Sequence, residues 1–159
     1  YRLDRVKTFL DPTHDPLGSS YHIRQVILAL GSGGISGLGI GRSRQKYEYL
    51  PESTTDSIFA VAGEELGFIG AIILITTFLY LISLIFKVAS QSRHPFHAAL
   101  AAGIGSWISL QVVLNLAAMV ALTPLTGIPL PLVSYGGSAL ITMLMGIGLV
   151  LGVARAERV

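Results

Sequence analysis

Cysteine is absent from the 159 residues, which excludes disulfide bridges and thiolate metal sites. Charge is scarce as well. Asp, Glu, Lys and Arg together make up 13% of the chain, against roughly a quarter in soluble globular domains. The deficit is concentrated. After Glu65 the only charged residues are Lys87, Arg93, Arg155, Glu157 and Arg158, and residues 98–154 form a 57-residue stretch with none. The net charge of +2 is too small and too dispersed to indicate a nucleic-acid partner. No signal peptide is visible, and the opening Tyr1-Arg2-Leu3-Asp4-Arg5 reads as the middle of a longer chain.

What is present is apolar. Hydrophobic residues make up 52% of the chain and the mean hydropathy is +0.66. Residues 66–86 are twenty-one residues without a charge. As a helix they would reach roughly 31 Å, about the thickness of a bilayer core. The longer uncharged run divides at Thr123-Pro124-Leu125-Thr126-Gly127-Ile128-Pro129-Leu130-Pro131, where three prolines in eight residues would leave helix carbonyls unpaired in lipid. The pattern predicts an all-α polytopic membrane protein, with spans at 66–86, 98–122 and 132–153 and a Pro-rich turn at 123–131. Three spans make a thin bundle, so the intact protein is expected to have more.

Orientation follows by parity. The 87–97 loop carries Lys87, Arg93, His94 and His97, and the 154–159 tail carries Arg155 and Arg158. Three crossings put loop and tail on one side, and their Lys/Arg excess predicts that side to be cytoplasmic. Residues 1–65 would then be extracytoplasmic. Their seven Lys/Arg are balanced by eight Asp/Glu, and a segment of that length is weakly governed by the charge rule.

Within that front block, residues 16–30 read as an amphipathic helix with Ile23, Val26, Ile27 and Leu30 at helical spacing and Ser19 or Ser20 as cap. It could lie on the membrane face or pack on the spans. Residues 31–41 hold six glycines but fail the dinucleotide fingerprint, because Ser36 stands where the third glycine belongs. The simpler reading is a flexible loop after a helix closed by Gly31; the functional one brings backbone N–H groups to a pyrophosphate. Arg42, Arg44 and Lys46 follow at once, either as a solvated basic rim or as a clamp on a lipid diphosphate.

Glu48, Glu52 and Asp56 are spaced by four, and Pro51 argues against one helix through all three. Pro51 suits a first turn, with Ser53, Thr54 and Thr55 as nearby caps. Asp56 would then sit near a helix N-terminus at the membrane edge. There the dipole favours its charge and burial opposes it, the balance a general base needs. The competing reading is an acid that merely stabilises its helix. Glu64 and Glu65 read as interfacial charges at the start of the span. Trp107, Gln111 and Asn115 share one helix face, as interhelical glue or, less readily, as the lining of a path. Gly136-Gly137-Ser138 and the Gly148/Gly152 pair would permit close helix approach.

In this order the pieces resemble the SEDS family, the FtsW/RodA/SpoVE proteins of bacterial wall synthesis. The matching residues are Arg2-Leu3-Asp4-Arg5, Asp11-Pro12 with Asp15-Pro16-Leu17-Gly18, Gly31-Ser32-Gly33-Gly34, Tyr49-Leu50-Pro51-Glu52 with Thr55-Asp56 and Ile58-Phe59-Ala60, and Glu64-Glu65-Leu66-Gly67. Gln111 and Asn115, Pro124 with Thr126-Gly127, and Leu130-Pro131 with Ser134-Tyr135-Gly136-Gly137-Ser138 complete the set. Thr54, Ser57 and Ala121 depart from the family's usual His, Phe and Gly, and the wording of Tyr47–Glu52 is closer to the FtsW branch than to RodA.

The resemblance implies a ten-helix fold of which this chain is the C-terminal part: the large extracytoplasmic loop and the last three helices. It implies a multi-pass protein of the bacterial cytoplasmic membrane that polymerises lipid II during division or wall growth. A class B penicillin-binding protein and other divisome or elongasome membrane proteins would be its partners. The family's essential aspartate falls on Asp56, the expected general base. Lys46 and Glu48 match loop positions implicated in substrate handling and regulation. Arg42, Arg44, Glu52, Ser134, Tyr135 and Gly136 complete the candidate substrate-contacting set. The departing diphosphate needs charge compensation, from Arg/Lys residues or a divalent cation (Mg2+ or Mn2+). A lipid II flippase and a non-catalytic divisome scaffold are the rival readings.

Overall fold

The computed structural model describes residues 19–42, 57–124 and 127–157, with side chains from residue 24 onward. Among the described residues the only regular secondary structure is helical, without a strand. Four helices follow one another: α1 (Ser19–Ser32), α2 (Ile58–Gln91), α3 (Pro95–Met119) and α4 (Gly137–Glu157). The last three are each long and apolar enough to cross a membrane. Much of their apolar surface faces outward: Phe68, Ile69, Ile73, Leu79 and Tyr80 of α2 are all more than half exposed. Such side chains belong in lipid or against further protein, not in water.

A thin core joins the helices. Phe78 and Ile85 of α2, Ile108 and Val112 of α3 and Met143 and Val150 of α4 are buried together. On α3 the buried positions Ala101, Gly105, Ile108, Val112, Asn115, Ala118 and Met119 recur every three or four residues, one stripe of a helix whose other side is free. Two glycines set the spacing. A Cβ on Gly105 would stand 3.0 Å from the Ile85 side chain, and one on Gly146 would stand 3.4 Å from the Trp107 ring. Gly148 and Gly152, the pair with dimer-motif spacing, have nothing within 4 Å of the equivalent point. Close helix approach therefore uses Gly146, not the Gly148/Gly152 pair.

The ends of the helices have local causes. Pro95 occupies the first turn of α3, where a missing N–H costs nothing. Past Met119 the backbone turns left-handed at Ala121 (φ 56°), with Ala121 N–H on the Ala118 carbonyl at 3.2 Å and Leu122 N–H on the Ala117 carbonyl at 2.8 Å. This is a Schellman closure, in which the left-handed position is normally glycine. Leu132 is left-handed as well (φ 62°), so no helix starts at 132, and α4 begins at Gly137 after the turn.

At the other end of the bundle, Glu157 of α4 ties down the start of α3. Its carboxylate accepts the backbone N–H of Arg93 at 3.2 Å and of His94 at 3.3 Å, and meets His97 Nδ1 at 2.7 Å. The first N–H groups of a helix need outside acceptors, and here a neighbouring helix provides one.

Helix α1 packs against α2 through Val26 and Ala29, both fully buried, while Ile27 and Leu28 remain half exposed. Of the two expectations for the amphipathic segment, contact with a span is the one observed for this face. The helix does not close at Gly31. It runs to Ser32, and the left-handed residue after it is Gly34 (φ 56°).

Candidate functional site

The start of α2 is set by Ser57, a fully buried residue whose carbonyl accepts the N–H groups of Ala60 (3.0 Å) and Val61 (3.2 Å). Nine residues into the helix, Gly67 adopts φ 70°, ψ −167°, and the helix is interrupted. Only glycine enters that conformation without a steric penalty. A short upper segment, 58–66, is thus set off from the long apolar part that follows.

An unbroken helix would bond Phe68 N–H to the Glu64 carbonyl and Ile69 N–H to that of Glu65. Here the glycine loop takes both sides of each lost pair. Phe68 N–H donates to the Gly34 carbonyl at 2.9 Å and Ile69 N–H to that of Ile35 at 3.3 Å. In return, Leu38 N–H donates to the Glu64 carbonyl and Gly39 N–H to that of Glu65, both at 3.0 Å. The approach is backbone on backbone. A Cβ on Gly37 would land on the Glu65 carbonyl oxygen, one on Gly67 on the Gly37 nitrogen, and one on Gly33 on the Gly63 carbonyl oxygen.

These bonds correct two expectations. The glycine-rich segment is not a free connector, because it is docked along α2. Three of its donors are also taken up: the N–H groups of Gly37, Leu38 and Gly39, and that of Arg42 after them, are bonded within the protein and not turned to a pyrophosphate. Glu64 also departs from expectation. It is buried, with 1% of its surface exposed, and is not an interfacial charge facing headgroups. The sequence carried a partial signal for this arrangement, since Gly67 interrupts an otherwise well-formed apolar helix, but spacing alone does not say that the two stretches meet.

Of the candidate site residues, Arg42 follows the docked loop and is exposed, its N–H on the Gly39 carbonyl at 3.1 Å. Ser134, Tyr135 and Gly136 form the turn leading into α4. Ser134 is fixed on both sides by Leu130, whose N–H donates to the Ser134 hydroxyl at 2.7 Å and whose carbonyl accepts the Ser134 N–H at 3.0 Å. Tyr135 projects outward, 81% exposed. Gly136 accepts the N–H of Leu140 at 2.9 Å. Asp56, Lys46, Glu48, Glu52 and Arg44 lie outside the described residues, as do Pro51 and the caps expected beside it.

An apolar groove of about 550 Å³ connects these parts. It is lined along α2 by Leu66 and Ile69 beside the break and by Ile73 and Phe78 further down, and across from them by Leu132 and Val133 of the turn that carries Ser134. A second, smaller cavity of about 180 Å³ lies under Trp107, Gln111, Leu130, Ser134 and Thr142. Asn115, on the same face as Trp107 and Gln111, is buried and donates its Nδ2 to the Ile128 carbonyl at 2.8 Å. Its amide therefore holds the Pro-rich turn, a structural use. Among the described residues no group of three or more His, Cys, Asp or Glu side chains could hold a metal ion.

The FtsW/RodA/SpoVE family model, described as "Cell cycle protein", matches residues 1–159. The chain is 45% identical over 158 residues to stage V sporulation protein E of Bacillus subtilis, covering 99% of this chain and 43% of that protein. It is 44% identical over 162 residues to a probable peptidoglycan glycosyltransferase FtsW of Thioalkalivibrio, covering 100% of this chain and 40% of the relative. Among solved structures, a peptidoglycan synthase complex described for its coordination of polymerization and crosslinking superposes with a TM-score of 0.74 at 34% identity, over 97% of this chain and 41% of the other. A point mutant of the Rod shape determining protein RodA of Thermus thermophilus gives 0.66 at 34% identity, over 82% and 40%. The chain thus spans about two fifths of the length of the relatives it matches.

Proposed function

Because this chain belongs to the FtsW/RodA/SpoVE family of cell cycle proteins, we propose that it supplies the catalytic loop and three spanning helices of a peptidoglycan glycosyltransferase that polymerises lipid II. The observation that carries the reading is the match to relatives named peptidoglycan glycosyltransferase over 95–100% of the chain at 43–46% identity. A match covering the full chain includes the segment that holds Asp56.

Asp56 stands in sequence immediately before Ser57, the residue from which the upper segment of α2 starts. In this proposal its carboxylate takes the proton from the C4 hydroxyl of the acceptor sugar. That oxygen attacks the anomeric carbon of the donor chain, the bond from that carbon to the diphosphate oxygen breaks, and undecaprenyl diphosphate leaves with inversion. Diphosphate is already a good leaving group, so charge compensation matters more than protonation. Arg42, Arg44 and Lys46, or a divalent cation, would provide it. Lys46, Glu48 and Glu52 would contact the headgroup from the same loop, and Ser134, Tyr135 and Gly136 from the turn before α4. The apolar groove between Leu66 and Val133 is of a size and polarity to take part of a polyprenyl tail.

The proposal sets the protein in the bacterial cytoplasmic membrane with residues 1–65 and 123–131 outside and 87–97 and 154–159 inside, working with a class B penicillin-binding protein and other divisome or elongasome proteins. The test is polymerisation of labelled lipid II by the full-length protein with that partner, wild type against Asp56→Asn. Loss of a general base predicts roughly a 10²- to 10⁴-fold fall in rate at unchanged expression. Glycan chains made at the wild-type rate by Asp56→Asn would overturn the assignment, leaving transport or scaffolding.

A further inference from the structure

We propose that the glycine loop is a positioning device: residues 33–39, spliced into the broken hydrogen-bond ladder of α2, fix the angle and height of segment 58–66. With it they fix Ser57, which follows Asp56 directly in the sequence. The inference rests on the function proposed above, for which a carboxylate must be held to within a fraction of an ångström.

Three observations carry it. First, the break is fully compensated: the two ladder bonds that Gly67 removes are replaced by four bonds to Gly34, Ile35, Leu38 and Gly39. A helix interrupted by accident would leave those groups to water or unpaired, which apolar surroundings penalise by several kcal/mol per group. Second, the fit tolerates no side chain, because a Cβ on Gly33, Gly37 or Gly67 would meet backbone, which cannot swing aside. Third, the upper segment has its own anchorage. Phe59, Ala60, Val61 and Gly63 are buried, and a Cβ on Gly63 would come within 2.6 Å of Leu30 of α1. Segment 58–66 is thus seated on α1 and the glycine loop, while the residues after Gly67 belong to the spanning bundle. The loop decides how the first is set upon the second.

Gly34 provides a matched control. It is left-handed like Gly37 (φ 56° against 77°), so alanine is strained at both, but a Cβ on Gly34 meets nothing within 4 Å. The experiment uses full-length protein with its partner and lipid II. The readouts are kcat, KM, the melting temperature in detergent, and the distance between spin labels at Ala62→Cys and Tyr80→Cys, one on each side of the break. The expected result for Gly37→Ala is a kcat reduced roughly a hundredfold with KM within about twofold, and a shifted or broadened label distance. Gly34→Ala should keep the wild-type distance and most of its kcat.

Equal kcat and equal distance distributions in the two variants would overturn the proposal. So would a Gly37→Ala loss of kcat that tracks its melting temperature while the distance stays at the wild-type value. If Gly37→Ala does not accumulate, the distance is read in a Gly67→Ala variant, judged by the same criteria. Should both fail to accumulate, a one-residue insertion between Ile35 and Ser36 replaces them, again compared with Gly34→Ala. The underlying functional reading fails separately: an active Asp56→Asn protein sinks that reading, whereas an inactive Asp56→Asn beside an unaffected Gly37→Ala sinks only the positioning role.

Discussion

Asn115 Nδ2 and the Ile128 carbonyl lie 2.8 Å apart, and that one bond fastens the Pro-rich turn to the buried stripe of α3. A carbonyl in a segment with three prolines has few backbone donors within reach, so a side chain supplies one. Replacing Asn115 with leucine keeps the volume and removes the donor. The expected cost is about 1–3 kcal/mol, the penalty for a buried acceptor left unmet. Denaturant or thermal melts of the detergent-solubilised protein would show it, and wild-type stability in Asn115→Leu would mean that the bond contributes nothing.

Ala121 occupies a left-handed position in a Schellman closure at φ 56°. An L-residue pays ~1–2 kcal/mol there, partly offset by the unfolded-state entropy that glycine would lose. Ala121→Gly should therefore stabilise the protein by about 0.5–1 kcal/mol, and a β-branched Ala121→Val should destabilise it by more than the same amount. A melt in which glycine is neutral and valine harmless would contradict the strained-turn account.

Glu157 gathers three donors from the start of α3, two of them backbone N–H groups. Truncating it to alanine should loosen the α2–α3 connection at Ser92–Pro95 and speed protease cleavage there. His97→Leu removes only one of the three donors, the ring Nδ1, so its effect should be smaller. Equal cleavage rates in the two variants would show that the backbone donors do not depend on the carboxylate.

Two glycines on α3 separate packing from propensity. Gly105 faces Ile85 with only 3.0 Å between its would-be Cβ and that side chain, whereas Gly103 faces open space. Gly105→Val should overpack the α2–α3 contact at a cost of about 1–3 kcal/mol. Gly103→Ala should be neutral or slightly stabilising, alanine being the better helix former. The measurement is again a melt of the folded protein.

The sequence made the helical class and the three apolar helices legible because charge is so unevenly distributed along it. Length and hydropathy are local properties, readable from a window of twenty residues. Helix ends were less legible even where the cause is local: α3 starts at Pro95, inside the stretch read as the 87–97 loop. Others were displaced by left-handed residues that spacing does not announce: α3 stops at Met119 before Ala121, and α4 starts at Gly137, after a turn in which Leu132 is left-handed. The break at Gly67 was signalled only by a glycine within an otherwise sound apolar helix. Its four replacement bonds come from residues some thirty positions away, and no periodicity encodes such a pairing. The motif around Asp56 was the reverse case, readable as a likeness in wording while the described residues begin again only at Ser57.

The order of the two partners along the chain has a consequence for biogenesis. Gly39 precedes Glu64 by 25 positions (64 − 39), so ribosomes adding roughly 5–20 residues per second finish the loop about 1–5 s before the stretch it must embrace. The donor surface is waiting when its acceptor emerges. Swapping the two stretches by circular permutation would reverse that timing, exposing a severed ladder to the lipid phase before its patch had been made.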